Sequence, residues 1–566
     1  MSTDRHLVDE TAIATALAAV PDQLAEDASR AENGGPFGIE MLSDMLLDYV
    51  AARSAEIDPR FETRESWTAL KSAAELAYNY VRAQHTPVGE SVQAWVEYLG
   101  VGFGFIQTDE ERVYTSDWIH AFHLALICRD GPKLVALYNL LGGLRDGSDT
   151  VYAKALAIRW ADLAGIIERD EDEAHSADGS PGPARTAYPV KLDGAQSPGD
   201  EVTLLRALVD GTGFQPALTE ALAAHGKRAS DRRVRDLIAW GPLALAALAH
   251  DSGVRIDVES GYLPARLVTE AGPRTAEAGE PIPRPEFEVE FATRQVERLK
   301  KDAAEDVEHL FESRILLGYR SKVFQDFARD CLRAFAYRSC LDPAAGDPRQ
   351  WTDLVLASEA ACAAFRLAAA PRETELELTV AGRTGSVPAP GPNSYSGHWE
   401  YAKAVAFALT ARSADDLVFL GGVADEVFGK SRGAGPDVPA YALALRAFLA
   451  GGDARTHLDT ALAKKSGDDH WECLRNPRVH MLDRLVADDQ EGFDKAMTEG
   501  LDLYRQYYSA GDRVDDVEGL IWIDALGLAC AAHDRGWPVA VETDYLPRRI
   551  VEGSWLGTPV DLGIFS

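Results

Sequence analysis

Apolar residues along the chain recur mostly at spacings of three and four. In "WTALKSAAELAYNYVRA" the residues Trp67, Leu70, Ala74, Ala77, Tyr78 and Val81 fall on one stripe, which predicts an amphipathic helix. "LIAWGPLALAALAHD" is apolar nearly all round, as a helix in the middle of a bundle should be, and Gly253 follows where a left-handed C-terminal cap is wanted. The period then changes to two. Val254, Ile256 and Val258 alternate with Arg255, Asp257 and Glu259, the pattern of a short half-buried extended segment. Ser260 or Thr543, followed by Tyr-Leu-Pro, is expected to start a short closing helix, since Pro is tolerated in a first turn. Alternation with glycines in "ETELELTVAGRTGSVPAPG" (Glu373 to Gly391) predicts a β-hairpin inserted between helices, and "ESVQAWVEYLGVGFGFIQ" is compatible with another. The expected fold class is mainly α with little strand.

The pattern is written twice. "AHDSGVRIDVESGYLP" (Ala249 to Pro264) returns as "AHDRGWPVAVETDYLP" (Ala532 to Pro547), 283 residues later. His250, Asp251, Gly253, Glu259, Tyr262 and Pro264 match His533, Asp534, Gly536, Glu542, Tyr545 and Pro547. Upstream, Trp67 faces Trp351, Trp118 faces Trp399, Tyr152 faces Tyr441 and Gly213 faces Gly492, at similar separations. At 566 residues the chain exceeds what one core usually supports, roughly 250 to 300. A tandem duplication of two multi-helix modules follows, each with a minor hairpin and an extended segment before its last helix. Their expected bounds are 1–272 and 285–566, joined by a Pro-, Gly- and Glu-rich linker over 273–284. A polar stretch, about 168–201, is expected to be a mobile surface loop. The four tryptophans read as core, and the recurring motif reads as structural.

Charge narrows the partners. The formal net charge is −33, from 57 Lys plus Arg against 90 Asp plus Glu, which disfavours binding to a nucleic-acid backbone. Such acidity serves solubility and can also speed capture of a basic partner. No window reaches the ~18 uninterrupted apolar residues of a membrane helix, and the N-terminal stretch carries acids where a secretory signal needs a basic start. A cytoplasmic protein is expected. Cys128, Cys331, Cys340, Cys362, Cys473 and Cys530 form no C-x-x-C pair and read as buried thiols.

Candidate chemistry is sparse. His120 and His123 stand three apart with Asp117 a turn before, a spacing that could place metal ligands on one face, but a third clear ligand is missing. "DDHWECLRNPRVH" holds carboxylates, Cys473 and His470 at spacings that match no mechanism. Adjacent residues on a helix point about 100 degrees apart, so His250-Asp251 and His533-Asp534 make poor catalytic dyads and read as helix-closing pairs. "GVGFGF" lacks the G-x-G-x-x-G spacing, and neither a phosphate-binding G-x-x-x-x-G-K-[ST] nor a G-x-S-x-G elbow is present. No catalytic residue, cofactor site or metal site is assigned.

The helical block ending in Asp-x-Gly, followed by Val-Glu-[Ser/Thr]-x-Tyr-Leu-Pro, resembles the C-terminal part of immunity protein 49, a family of bacterial polymorphic-toxin immunity proteins. "RESWTALKSAAELAYNYV" and "TSDWIHAFHLALICRD" resemble its earlier helices. The second copy keeps a fuller ending, Ser554-Trp555-Leu556-Gly557, where the first reads Glu270-Ala271-Gly272. The family's usual form is a single module. The resemblance implies a non-catalytic cytoplasmic protein that binds and silences a cognate toxin, and an acidic inhibitor suits a basic target such as a nuclease. Two other readings stay open: a tandem helical scaffold for two partners, and a metal-dependent hydrolase around His120, His123 or His470.

Overall fold

The computed structural model describes residues 5–107, 114–144, 147–166, 192, 194–196, 200–229, 233–270, 272–276, 279–285, 287–312, 315–429, 435–463 and 468–560. The expected loop at about 168–201 lies almost entirely outside them. The chain divides into two compact units, Met1–Arg274 with Ala510–Asp512, and Thr275–Ser509 with Arg513–Ser566. Each is helical around its own apolar core, and the described strands form two antiparallel pairs.

The first unit opens with the helix Glu10–Glu56, bent at Gly35, whose φ of +56° breaks the helical run. Arg64–Gln84 follows, capped by the Thr63 hydroxyl, and then the hairpin of β1 (Ser91–Val96) and β2 (Val101–Ile106). The helices Thr115–Ile127, Gly131–Leu140, Ser148–Leu163, Glu201–Asp210, Phe214–Arg228, Trp240–Asp251 and Ala265–Thr269 complete it. The second unit repeats this order. Val289–Leu310 and Arg320–Leu341 stand for the bent first helix, and β3 (Glu375–Val380) with β4 (Arg383–Pro388) again follows the capped helix Pro348–Ala369.

The apolar block became the helices Trp240–Asp251 and Ile523–Asp534, each buried on nearly every side. Burying Leu243, Leu245 and Leu248 stabilises the unit by about 1.5 to 3 kcal/mol each. Gly253 (φ +84°) and Gly536 (φ +90°) end these helices in the left-handed conformation. The Val254 amide then returns to the Ala249 carbonyl at 2.9 Å, and Trp537 to Ala532 at 3.1 Å, as a Schellman closure requires. Val254, Ile256 and Val258 lean on the core while their neighbours face solvent.

Three readings change. Ser260 and Thr543 do not open the last helix: each hydroxyl accepts the amide two residues on, Tyr262 and Tyr545, at 3.2 Å, forming a turn, and the helices start after Pro264 and Pro547. The described residues of 273–284 form no helix, yet Ile282 is 1% exposed in the second core, pairing with Glu542 and Thr543. Arg284 is likewise buried, its guanidinium 3.0 Å from the Ser339 hydroxyl, and in the first unit Arg5 holds Ser54 at the same distance. A composition that excludes a helix does not exclude burial.

The third change is one of register. The Trp118 indole donates to the Leu137 carbonyl at 2.9 Å, and the Tyr401 hydroxyl donates to the Leu420 carbonyl at 2.8 Å. Both donors and both acceptors are 283 residues apart, so Trp118 corresponds to Tyr401, and Trp399 stands opposite Ser116. Matching tryptophan to tryptophan had slipped the helix by two residues. Trp67, Trp118 and Trp351 are core residues, while Trp399 is partly exposed.

Candidate functional site

Tyr262 and Tyr545 of the recurring motif are buried anchors, 1% and 0% exposed. Each meets an aromatic side chain edge-on: Tyr262 meets His225 at 5.0 Å, and Tyr545 meets Tyr504 at 5.5 Å. Pro264 and Pro547 are buried beside them, and Glu259 and Glu542 point to solvent. His250 and His533 lie 3.4 and 3.6 Å from the neighbouring Asp251 and Asp534 carboxylates.

Those aspartates have a partner that sequence reasoning missed. Arg129 sits just past the helix Thr115–Ile127 with φ +52°, and Arg412 just past His398–Ala411 with φ +48°. Arg129 reaches Asp251 at 3.2 Å and donates to the carbonyls of Leu267 and Val268. Arg412 reaches Asp534 at 3.1 Å and donates to the carbonyls of Ile550 and Val551, both at 2.6 Å. One guanidinium fork thus ties three elements, the buried helix, the closing helix and the helix before them. Every member is 283 residues from its counterpart, and that constant spacing was the available signal. With its donors engaged in this way, the guanidinium holds the closing helix against the buried one.

A pocket opens elsewhere in the second unit, with about 60 Å³ of room. Its floor is Arg478 and Asp524, 3.5 Å apart and each no more than one-tenth exposed. The Arg478 guanidinium lies between two rings, 4.7 Å from Trp399 and 4.4 Å from Tyr441. Trp522 stacks on Tyr504 at 4.8 Å to form one wall. At the mouth stand Arg329, Arg333, Lys403 and Glu518, with Lys403 bound to Glu518 at 3.3 Å.

The model of the family described as Immunity protein 49 matches residues 58–267 and again 342–550. The chain belongs to the immunity protein 49 family. Both matched segments start at an aspartate that accepts the backbone N–H of the residue capping the next helix: Asp58 from Thr63 at 3.0 Å and Asp342 from Asp347 at 2.8 Å. They end at Leu267 and Ile550, whose carbonyls the arginine clasps hold. The immunity protein 49 module therefore runs from a helix cap to a clasp, and membership suggests a toxin-immunity role. No curated protein and no solved structure matches the chain.

The fuller ending of the second immunity module is also structural. The Trp555 indole donates to the Ala345 carbonyl at 2.9 Å. In the first module the corresponding Phe61 carbonyl is taken by Trp67 at 3.0 Å.

The histidines do not gather. His123 Nε2 meets the Tyr152 hydroxyl at 3.0 Å, and burial pushes its pKa down to about 4. His120 is pushed down to about 4 as well, by burial first and then by His123 and Arg235. His470 lies against the rings of Trp399 and Tyr507, its pKa lowered to about 4 mainly by burial. Among the described residues no three His, Cys, Asp or Glu side chains meet as a metal site would require. All six cysteines are buried and none is in a disulfide, and burial pushes the Cys128 and Cys530 thiols up to about 12. Such thiols are poor nucleophiles. Among the described residues no helix is long and apolar enough to cross a membrane.

Proposed function

We propose that the chain protects its cell by binding a cognate toxin as a folded protein and covering the toxin's active site or substrate path, with no chemistry of its own. The twofold match to the immunity protein 49 family carries this reading. It is supported by the recurring charged residues, Arg129 with Asp251 in the first module and Arg412 with Asp534 in the second, each being engaged within its own module's fold. The cytoplasm is where such an inhibitor would work. The charge of −33 suits capture of a basic toxin such as a nuclease, because opposite net charges steer encounter over long range. The test is co-expression with the cognate toxin. Survival together with a stable complex supports the reading, and survival without a complex sinks the occlusion mechanism.

A scaffold with two different partners is the second reading. One observation favours it: corresponding positions on the two modules carry opposite charge. Asp44 and Asp48 of the first module, bound by Arg235, become Arg329 and Arg333 of the second, with Glu518 in the place of Arg235. Two surfaces so unlike would select different ligands.

A further inference from the structure

We infer that the pocket of the second module receives an aromatic side chain flanked by carboxylates on the toxin's surface; this rests on the toxin-binding reading above. Its size excludes most free ligands, since small-molecule sites run to about 300 to 1,000 Å³, whereas about 60 Å³ suits one inserted side chain. Its walls are rings and apolar groups, Trp522 stacked on Tyr504 with Leu332 and Val517 alongside, the setting in which a buried aromatic anchor carries most of an interface's binding energy.

The floor is unsatisfied. Among the described residues neither Arg478 Nε nor Asp524 Oδ1 has a hydrogen-bond partner, although both atoms are buried. Leaving a buried polar atom without a partner is unfavourable, so a ligand or water that supplies one is favoured there. The mouth selects the sign of charge. Arg329, Arg333 and Lys403 outnumber Glu518 in a chain that is otherwise strongly acidic. Arg329 and Arg333 are tied to Asp326 at 2.6 Å and Asp330 at 3.0 Å on their own helix, but the arginines are nearly half exposed and the aspartates 27% and 33%, so these surface pairs are worth little. Their guanidinium forks can turn to a partner carboxylate, which they match bidentately. A basic toxin steered by net charge can still present a local acidic segment, because steering acts over the whole surface and docking over a few side chains.

The first module supplies the control, since its corresponding residues reverse the sign. The triple variant Arg329→Asp, Arg333→Asp, Glu518→Arg copies that pattern onto exposed positions of the second module. The full chain and this variant are titrated with two fluorescein-labelled peptides, Gly-Asp-Tyr-Glu-Gly and Gly-Lys-Tyr-Lys-Gly, whose tyrosine hydroxyl can meet the two unpartnered floor atoms, with circular dichroism to confirm folding. The parent should bind the acidic peptide at least about tenfold more tightly than the basic one, and the variant should lose or reverse that preference. The variant Trp399→Ala should weaken the acidic peptide without changing the preference. A parent that binds neither peptide, prefers the basic one, or keeps its preference in the triple variant overturns the pocket assignment. Co-expression with the cognate toxin separates the two levels: if the unaltered chain fails to protect, the immunity reading falls, whereas protection that persists beside charge-blind peptide binding removes only the pocket.

Discussion

Arg412 grips Asp534 at 3.1 Å from a left-handed backbone position, and with the same guanidinium holds the last two carbonyls of the closing helix. The arginine is 10% exposed and the aspartate 46%, so the two ends of the contact should differ in worth. Arg412→Ala strands two carbonyls that were bound to a charged donor and should cost about 3 kcal/mol. Asp534→Ala removes a half-exposed partner and should cost under about 1 kcal/mol. Thermal melts of the two variants decide it. Equal losses would mean that the ion pair, and not the carbonyl fork, holds the closing helix.

The two anchoring tyrosines should also separate. The Tyr262 hydroxyl accepts the His6 amide at 2.7 Å, whereas the Tyr545 hydroxyl is buried with no partner among the described residues. Tyr262→Phe should therefore lose about 1 kcal/mol, and Tyr545→Phe should be neutral or stabilising. Truncation to Ala should cost about 3 to 5 kcal/mol at either position, the range for large aromatic core deletions. A destabilised Tyr545→Phe would mean that its hydroxyl is bonded after all.

Much of this architecture was legible because periodicity reports burial. The apolar run of Leu243 to Ala249, the alternation after Gly253 and the glycines of both hairpins each map to one local geometry. Contacts made across the fold were not legible. Arg129 and Asp251 are 122 residues apart, and neither neighbourhood announces the other. Trp399 misled for a related reason. An aromatic residue on a helix looks like core whichever face it occupies, and only the shared bond of Trp118 and Tyr401 to corresponding carbonyls fixes the register. The pocket was invisible because its floor joins Arg478 to Asp524, 46 residues away.

A third prediction concerns acid. His123 is buried, and its pKa is lowered by that burial from the ordinary 6.5 to about 4. The unfolded chain therefore binds this proton more readily, and between about pH 6.5 and 4 stability falls as pH falls. One proton contributes a slope of about 1.4 kcal/mol per pH unit in that window. His120, lowered to about 4 as well, contributes a similar slope, so His123→Gln should reduce the dependence for the first module without abolishing it, read as melting temperature against pH. An unchanged slope would place the acid sensitivity elsewhere.

The last prediction concerns where protection resides. Modules of about 280 residues can each bury roughly three quarters of their unfolded surface, so each should fold when separated. The position of the cut matters. Ala276 donates to Asp502 at 2.7 Å, and Ile282 and Arg284 are buried in the second core, so a break between Arg274 and Thr275 keeps that unit whole. A fragment starting at 285 loses Ile282 and the Arg284 bond to Ser339, and should melt well below the fragment 275–566. We expect 275–566 to protect cells from the toxin and 1–274 not to. The second module carries both the basic-mouthed pocket and the Trp555 clasp, while the first has Asp44 and Asp48 at the corresponding surface. Survivor counts from co-expressing each fragment with the toxin decide it. Protection by 1–274 alone would assign recognition to the acidic surface of the first module, and two fragments that fail to fold would mean that the modules depend on each other for their cores.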